Sequence, residues 1–216
     1  MKRKFKISCL LLAVMMIFMA MPVLAADTIE LDGEVHTVEF YSSQTPHLEF
    51  ESRTTDLTAA EIAELDEALL NADYNDYEII TGIGYEIKRV YLQYGYTIDF
   101  ILIYNIGSAS LMRNTFASGI ARVSVKDTSG REVGYVALSA TFFWTGSSVT
   151  FSSADMASGN PPSASWSNVS YTTGGSSSTT MYAVSTPTLN ISGGGSYSYR
   201  ISVGCDKSGN ISVINA

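Results

Sequence analysis

Residues 133–144, VGYVALSATFFW, decide the fold class of this chain. The run consists of β-branched, aromatic and small side chains, a composition that favours strands. A turn signal, DTSG at 127–130, separates it from a similar run, IARVSV at 120–125. A second turn, TGS at 145–147, precedes a returning apolar run at 149–151. Strands joined by such short turns predict antiparallel pairing.

The same pattern continues to the end of the chain. Short strands are predicted near 164–171, 179–184, 188–191, 197–203 and 211–213. Turn clusters separate them about every ten residues, a spacing typical of an all-β sandwich or barrel. We therefore predict an antiparallel, immunoglobulin-like β-sandwich domain over residues 105–216, rich in Ser, Thr and Gly.

The preceding region, residues 26–104, has a different composition. Residues 27–99 hold 17 acidic and 3 basic side chains, whereas 100–216 hold 4 acidic and 6 basic ones. Short alternating runs at 29–31 and 38–40 indicate two strands. We predict a small acidic α+β region here, and its charge favours docking on the C-terminal part of the chain.

One helix is predicted in this acidic region, over residues 57–71. Thr58 is a good N-cap, and Glu61 three residues later completes a capping box. Leu57 and Ile62 flank the cap as a hydrophobic staple. The apolar stripe of the helix is narrow, so we expect it to pack on its own domain. The alternative is a propeptide or a docking helix.

The first 25 residues have the three parts of a secretory signal peptide. Four basic residues lie within the first six, and an apolar run follows at 7–21. Small residues then predict cleavage between Ala25 and Ala26. The apolar run is short for a membrane anchor, and no later run approaches spanning length. The sequence predicts a secreted, extracellular protein with no transmembrane segment after signal removal.

Composition excludes several partners and chemistries. The formal net charge of −8 argues against nucleic acid as a partner.

Cys205 is the one cysteine left after signal removal, so we predict no intrachain disulfide and a buried thiol. Pairing of Cys205 with His36 or His47 has no support from spacing. The loop from Asp206 to Asn210 has too few carboxylates for calcium and predicts a hairpin turn.

No catalytic motif is present in the sequence. HExxH, G-x-S-x-G and P-loop patterns are all missing, and Gly82-Ile83-Gly84 lacks the third glycine of a dinucleotide loop. We therefore predict no catalytic residues, no metal site and no cofactor.

The aromatic residues of the β region are the remaining candidates for ligand binding. Flat aromatic rings on a sheet face stack on sugar rings or anchor a partner protein. Trp166 is the preferred tryptophan because Ser165 and Ser167 beside it are small and polar, and Tyr171 accompanies it. Trp144 follows two phenylalanines and is expected in the core.

Two further segments carry a resemblance to known proteins. At GCDKSGN, residues 204–210, and FFWTGS, residues 142–147, the chain resembles small, secreted, Ser-rich β-sandwich proteins of Gram-positive bacteria. These families are mostly of unknown function. The resemblance covers about residues 119–216. It implies secretion and a β fold, and it supplies no catalytic residues.

The function favoured by these observations is a non-catalytic binding or interaction module that acts outside the cell on a protein or a carbohydrate. Two alternatives stay open. Ser/Thr-rich strands around Gly174-Gly175 resemble membrane-inserting hairpins in composition, which suggests a membrane-active effector. The many carboxylates permit a hydrolase of cell-wall or carbohydrate polymers.

Overall fold

The computed structural model describes residues 27–31, 34–38, 57–104, 115–161 and 163–213. The predicted signal peptide and its cleavage site at Ala25 and Ala26 lie outside the described residues. Antiparallel strands make up most of these described residues, and among them one α-helix precedes the large sheet. The predicted mainly-β antiparallel fold with a preceding helix is confirmed.

The acidic region begins with a hairpin of β1 (Asp27–Leu31) and β2 (Glu34–Val38). Its register places Ile29 opposite His36 and Leu31 opposite Glu34. These two strands form a two-stranded sheet of their own.

Helix α1 (Ala59–Leu70) confirms the predicted cap. The Glu61 backbone N–H donates to Thr58 Oγ1 at 3.3 Å, and the Thr58 backbone N–H donates to Glu61 Oε2 at 2.7 Å. The helix ends at Asn71, whose backbone N–H donates to the Glu67 carbonyl. Leu65 and Leu69 are buried, so the helix packs on the domain. No helix in the described part of the chain is long and apolar enough to cross a membrane.

A six-stranded antiparallel sheet follows the helix, and its strands pair in sequence order as a meander. The strands are β3 (Tyr77–Gly82), β4 (Tyr85–Tyr91), β5 (Thr97–Tyr104), β6 (Thr115–Lys126), β7 (Glu132–Trp144) and β8 (Val149–Gly159). A 3-10 turn at Gln93–Gly95 connects β4 to β5. Strands β5 and β6 pair from Thr97 opposite Lys126 to Tyr104 opposite Gly119. The sheet therefore continues across the domain boundary predicted after residue 104.

Two smaller sheets are built from the C-terminal strands. The strands are β9 (Ala164–Ser167), β10 (Tyr171–Gly175), β11 (Thr180–Ser185), β12 (Thr188–Ile191), β13 (Ser196–Ser198), β14 (Ile201–Asp206) and β15 (Ile211–Ser212). One sheet has the order β10-β11-β14-β15, and the other has the order β13-β12-β9. Strands that are neighbours in a sheet without being consecutive in the sequence therefore occur in these two smaller sheets.

The main core lies between one face of the large sheet and the smaller sheets with helix α1. We call this side of the large sheet the inner face. Leu65 of the helix, Val123 and Phe142 of the large sheet, and Val203 and Cys205 of β14 belong to one continuous cluster. The helix and strands before residue 105 thus share a core with the strands after it. Burial of Cys205 confirms the prediction for that residue.

The opposite side of the large sheet, which we call the outer face, holds a second apolar cluster. Its buried members are Ile87, Ile101, Ile103, Ile120, Tyr135 and Ala137. At one end of this face the fully buried Asp99 accepts hydrogen bonds from Arg89 at 2.8 and 2.9 Å. Lys126 Nζ lies 3.2 Å from the same carboxylate. The outer face thus combines an apolar centre with a charged end.

Candidate functional site

A surface groove lies where the end of helix α1 meets β5 and the segment from β13 to β14. It encloses about 510 Å³, within the range of about 300–1,000 Å³ that small-molecule sites occupy. The residues that line it are Leu69, Leu70, Tyr74, Phe100, Ser196, Tyr197, Ser198, Tyr199 and Arg200. Most of the lining is therefore aromatic or hydroxyl-bearing, with one cation.

Aromatic rings form the floor and one wall of the groove. Tyr74 contacts Phe100 edge to face, with ring centroids 6.4 Å apart. Phe100 contacts Tyr199 in the same way at 6.1 Å, and Tyr199 contacts Trp166 at 5.8 Å. Tyr74 is 36% exposed and Tyr199 only 4%. The rings thus lead from an accessible mouth to a buried floor.

One buried polar atom at this floor, the Tyr199 hydroxyl, makes no hydrogen bond of normal geometry among the described residues, and its polar neighbour is Tyr74. Burying such a group without a partner costs about 1–3 kcal/mol. Burial, with the neighbouring Tyr74 second, raises the pKa of Tyr199, so its hydroxyl stays a neutral donor. A ligand that reaches the floor can satisfy this hydroxyl.

Helix α1 is held against the groove wall by Asp66. The Tyr197 hydroxyl lies 2.7 Å from Asp66 Oδ1 and 2.8 Å from the Asp66 carbonyl oxygen. The Gly195 backbone N–H donates to the same Oδ1 at 2.8 Å. Burial, and then the hydrogen bond to Asp66, raises the pKa of Tyr197. This wall is thus fixed before any ligand arrives.

Glycine at position 194 permits the close approach of the helix. A Cβ there would lie 2.6 Å from both Cγ and Oδ1 of Asp66. The run of three glycines at 193–195, which the sequence indicates only as a loop, therefore has a packing role.

The rim of the groove carries serine hydroxyls and the guanidinium of Arg200. Ser196 and Ser198 bond to Asn190 and Thr188 of the neighbouring strand β12, at 2.9 Å each. Arg200 is exposed and has no ion pair within the described ranges. Its guanidinium is therefore available to an acceptor on a ligand.

The two residues predicted as ligand contacts lie apart and in different environments. Trp166, on β9, is 8% exposed, which corrects the expectation of an accessible indole face. The burial pattern of β9 alternates, with Ala164 and Trp166 buried and Ser165 and Ser167 exposed. The polar neighbours face the opposite side of the strand, so they carried no information about Trp166.

Tyr171 lies on β10, the edge strand of the four-stranded sheet, and is 38% exposed. Its ring contacts Phe151, with centroids 6.4 Å apart. Tyr171 does not line the groove. Trp144 is partly buried beneath Gly209, whose Cβ would lie 2.3 Å from the indole.

Tyr74 and Phe100 are the groove residues that sequence reasoning missed. The alternation of aromatic and polar residues at Tyr197-Ser198-Tyr199-Arg200 is typical of a strand with an apolar and a polar side, and these residues line one wall of the groove. No local pattern joins it to Tyr74, which lies more than a hundred positions earlier.

The chemically reactive candidates occupy structural roles. Burial, with the Asp206 charge second, raises the pKa of the Cys205 thiol to about 12. The described residues contain no group of three His, Cys, Asp or Glu side chains that could hold a metal ion. The Asp206 carboxylate accepts from the backbone N–H groups of Ser208 and Asn210 at 2.8 and 2.9 Å. These bonds form the predicted hairpin turn.

Comparisons with family models, curated proteins and solved structures find no match for this chain. The fold and the groove themselves define the class: a mainly-β protein that carries an aromatic surface groove between its helix and its C-terminal strands.

Proposed function

We propose that this protein is a secreted, non-catalytic binding module that holds a carbohydrate in the surface groove beside Tyr74 and Tyr199. The observation that carries the proposal is the buried Tyr199 hydroxyl at the floor of an aromatic groove, which makes no hydrogen bond of normal geometry among the described residues and has Tyr74 as its polar neighbour. A sugar has apolar C–H faces that pack on aromatic rings and hydroxyls that pair with buried donors.

The lining supports binding rather than chemistry. The described residues that line it include no carboxylate, histidine or cysteine to act as a general acid or base. Burial raises the pKa of both Tyr197 and Tyr199, so neither phenol is prepared to ionise. Secretion is supported by the signal-peptide pattern of residues 1–25.

The size of the groove favours a carbohydrate over a protein partner. A stable protein interface buries about 800 Å² on each side, whereas this groove has the volume of a small-molecule site. Arg200 at the rim suits a carboxylate, sulfate or phosphate group on the sugar.

Co-sedimentation of the secreted protein with peptidoglycan sacculi, chitin and cellulose tests the proposal. We expect binding to at least one polymer, and Tyr74→Ala to weaken it by about tenfold or more. Tyr171→Ala is the matched control, since Tyr171 has similar exposure, 38% against 36%, and lies outside the groove. Loss of binding in Tyr171→Ala with retention in Tyr74→Ala would move the site to β10.

Tyr199→Phe separates a binding hydroxyl from a structural one. Because the Tyr199 hydroxyl makes no hydrogen bond of normal geometry among the described residues, its removal should change the free energy of unfolding by less than about 1 kcal/mol. The same change weakens sugar binding. A variant that binds like the wild type would refute the proposed role of the groove floor, and release of reducing sugar from the polymer would refute the non-catalytic assignment.

A further inference from the structure

A second cation lies beside the groove, on the inner face of the large sheet. Lys88 of β4 is directly opposite Phe100 of β5, and Phe100 lines the groove and packs against the inner core. Directly opposed residues of an antiparallel pair lie on the same face, with Cβ atoms about 5 Å apart. The Lys88 side chain is therefore a close neighbour of the groove, next to the ring that contacts both Tyr74 and Tyr199.

The ammonium group of Lys88 faces an aromatic ring instead of a carboxylate. Its Nζ atom lies 3.9 Å from the centroid of the Tyr77 ring, and Tyr77 is 43% exposed. Lys88 forms no ion pair within the described part of the chain, not even with Glu86, two positions earlier on the same face. Attraction to a ring face leaves the positive charge uncompensated, so Lys88 can meet an anion without first giving up a carboxylate.

Arg200 is the other cation of the site. Its side chain lines the groove and is exposed, and it too forms no ion pair among the described residues. Arg200 follows Tyr199 in the chain, the Tyr199 ring contacts Phe100, and Phe100 lies opposite Lys88. The two cations therefore flank one pair of aromatic rings.

The charge around these rings differs in sign from that of the whole chain. The described lining residues include no carboxylate. Asp66, which contacts the wall, already accepts hydrogen bonds from the Tyr197 hydroxyl and the Gly195 N–H. The chain as a whole has a formal net charge of −8 and repels polyanions in general. Attraction of an anion to the groove thus depends on the local placement of two side chains.

We infer that the groove takes an acidic carbohydrate, a chain of sugars that carry carboxylate, sulfate or phosphate groups, with Arg200 and Lys88 pairing to two of those groups. This inference rests on the proposed function and adds the charge class of the ligand. The planar guanidinium of Arg200 bonds such a group through two parallel N–H donors, whereas Lys88 acts as a point charge. The sugar faces between the acidic groups pack on the rings of Phe100 and Tyr199.

Soluble polymers that exist in charged and neutral forms test the charge class. Isothermal titration calorimetry of the secreted protein compares polygalacturonate with its methyl ester, carboxymethyl cellulose with hydroxyethyl cellulose, and both dextran sulfate and dextran phosphate with dextran. We expect at least one anionic polymer to bind about tenfold or more tightly than its neutral partner at low ionic strength. The preference should shrink as ionic strength rises. The carboxylate, sulfate and phosphate forms distinguish the three kinds of anion.

Charge variants show which side chains cause the preference. We expect Arg200→Gln to weaken binding of the preferred polymer about tenfold and Lys88→Gln to weaken it about threefold. Arg200→Lys and Lys88→Arg retain the charge and should keep more of the affinity, which separates loss of charge from loss of fold. Lys207→Gln removes the same charge from the exposed turn at the far end of β14 and serves as the matched control. Glu86→Gln removes the anion beside Lys88 and should tighten binding slightly.

Two outcomes would overturn the inference. One is a protein that prefers no anionic polymer over its neutral partner. The other is a preference that Arg200→Gln and Lys88→Gln reduce no more than Lys207→Gln does. Either result leaves the proposed function standing if a neutral polymer binds and Tyr74→Ala weakens that binding. Failure of the proposed function itself is a separate result, in which Tyr74→Ala leaves the binding of every polymer unchanged.

Discussion

The Tyr197 hydroxyl lies 2.7 Å from Oδ1 of Asp66, although 131 positions separate the two residues in the chain. This contact connects helix α1 to β13, and it holds one wall of the groove. The wall therefore depends on a contact between residues that are far apart in the described chain.

The contact between Asp66 and Tyr197 is expected to stabilise the fold measurably. Asp66→Ala leaves the Gly195 N–H without its acceptor and the Tyr197 hydroxyl with only the backbone carbonyl of residue 66, and it should cost about 1–3 kcal/mol. Tyr197→Phe should cost about 1 kcal/mol. Urea denaturation of both single variants and the double variant gives the coupling energy, expected at about 0.5–3 kcal/mol. Strict additivity would show that the contact is energetically silent.

The N-cap of helix α1 is a local determinant of stability. Thr58→Ala removes the acceptor for the Glu61 backbone N–H and should lower the free energy of unfolding by about 1 kcal/mol. Thr58→Ser retains the hydroxyl and serves as the control. Thermal unfolding followed by circular dichroism measures both variants. Equal melting temperatures for Thr58→Ala and Thr58→Ser would contradict the assigned cap.

The capping box also predicts a pH dependence. Hydrogen bonds from the backbone and side chain of Thr58 lower the pKa of Glu61 below its ordinary value of 4.5. The stabilisation is therefore fully present above pH 4.5 and is lost as pH falls through the lower, folded-state pKa. The wild type should exceed Glu61→Gln in denaturant midpoint at pH 7, and the gap should narrow as the pH falls below 4.5. A gap that widens in acid would reverse the assigned direction.

The Cys205 thiol is predicted to be unreactive in the folded protein. It is fully buried, and its pKa of about 12 leaves almost no thiolate at pH 8. A bulky disulfide reagent should label it only after denaturant is added. Cys205→Ser should cost about 1 kcal/mol or more, because a hydroxyl is harder to bury than a thiol. Rapid labelling without denaturant would contradict the burial.

The carboxylate of Asp99 is predicted to be the most sensitive charge of the outer face. It has no solvent exposure and contacts both Arg89 and Lys126. Asp99→Asn removes the anion that these cations share, and a loss of about 3–5 kcal/mol is expected. Glu86→Gln, an exposed change on β4, is the control and should be nearly neutral. Equal stability of the two variants in urea would show that the buried cluster contributes little.

Features that depend on neighbouring residues were predictable from local patterns of amino acids. The cap of Thr58 and Glu61 was predictable because its hydrogen bonds span only three positions. Strand β7 was predicted at 133–144 and observed as Glu132–Trp144 because propensity and turn chemistry are local. Burial of Cys205 was predicted from the absence of a disulfide partner after signal removal, and the structure buries β14 on both faces from Ile201 to Cys205.

Tertiary structure alone decided which aromatic residues share a surface. Trp166 is buried because β9 pairs with β12 and turns its indole towards Tyr199, a choice that strand alternation leaves open between two faces. The groove likewise needs Tyr74 beside Tyr199, and no local rule fixes a contact over that separation. The physical reason is that periodicity specifies which residues share a face, whereas the layer that packs on that face depends on the arrangement of distant elements.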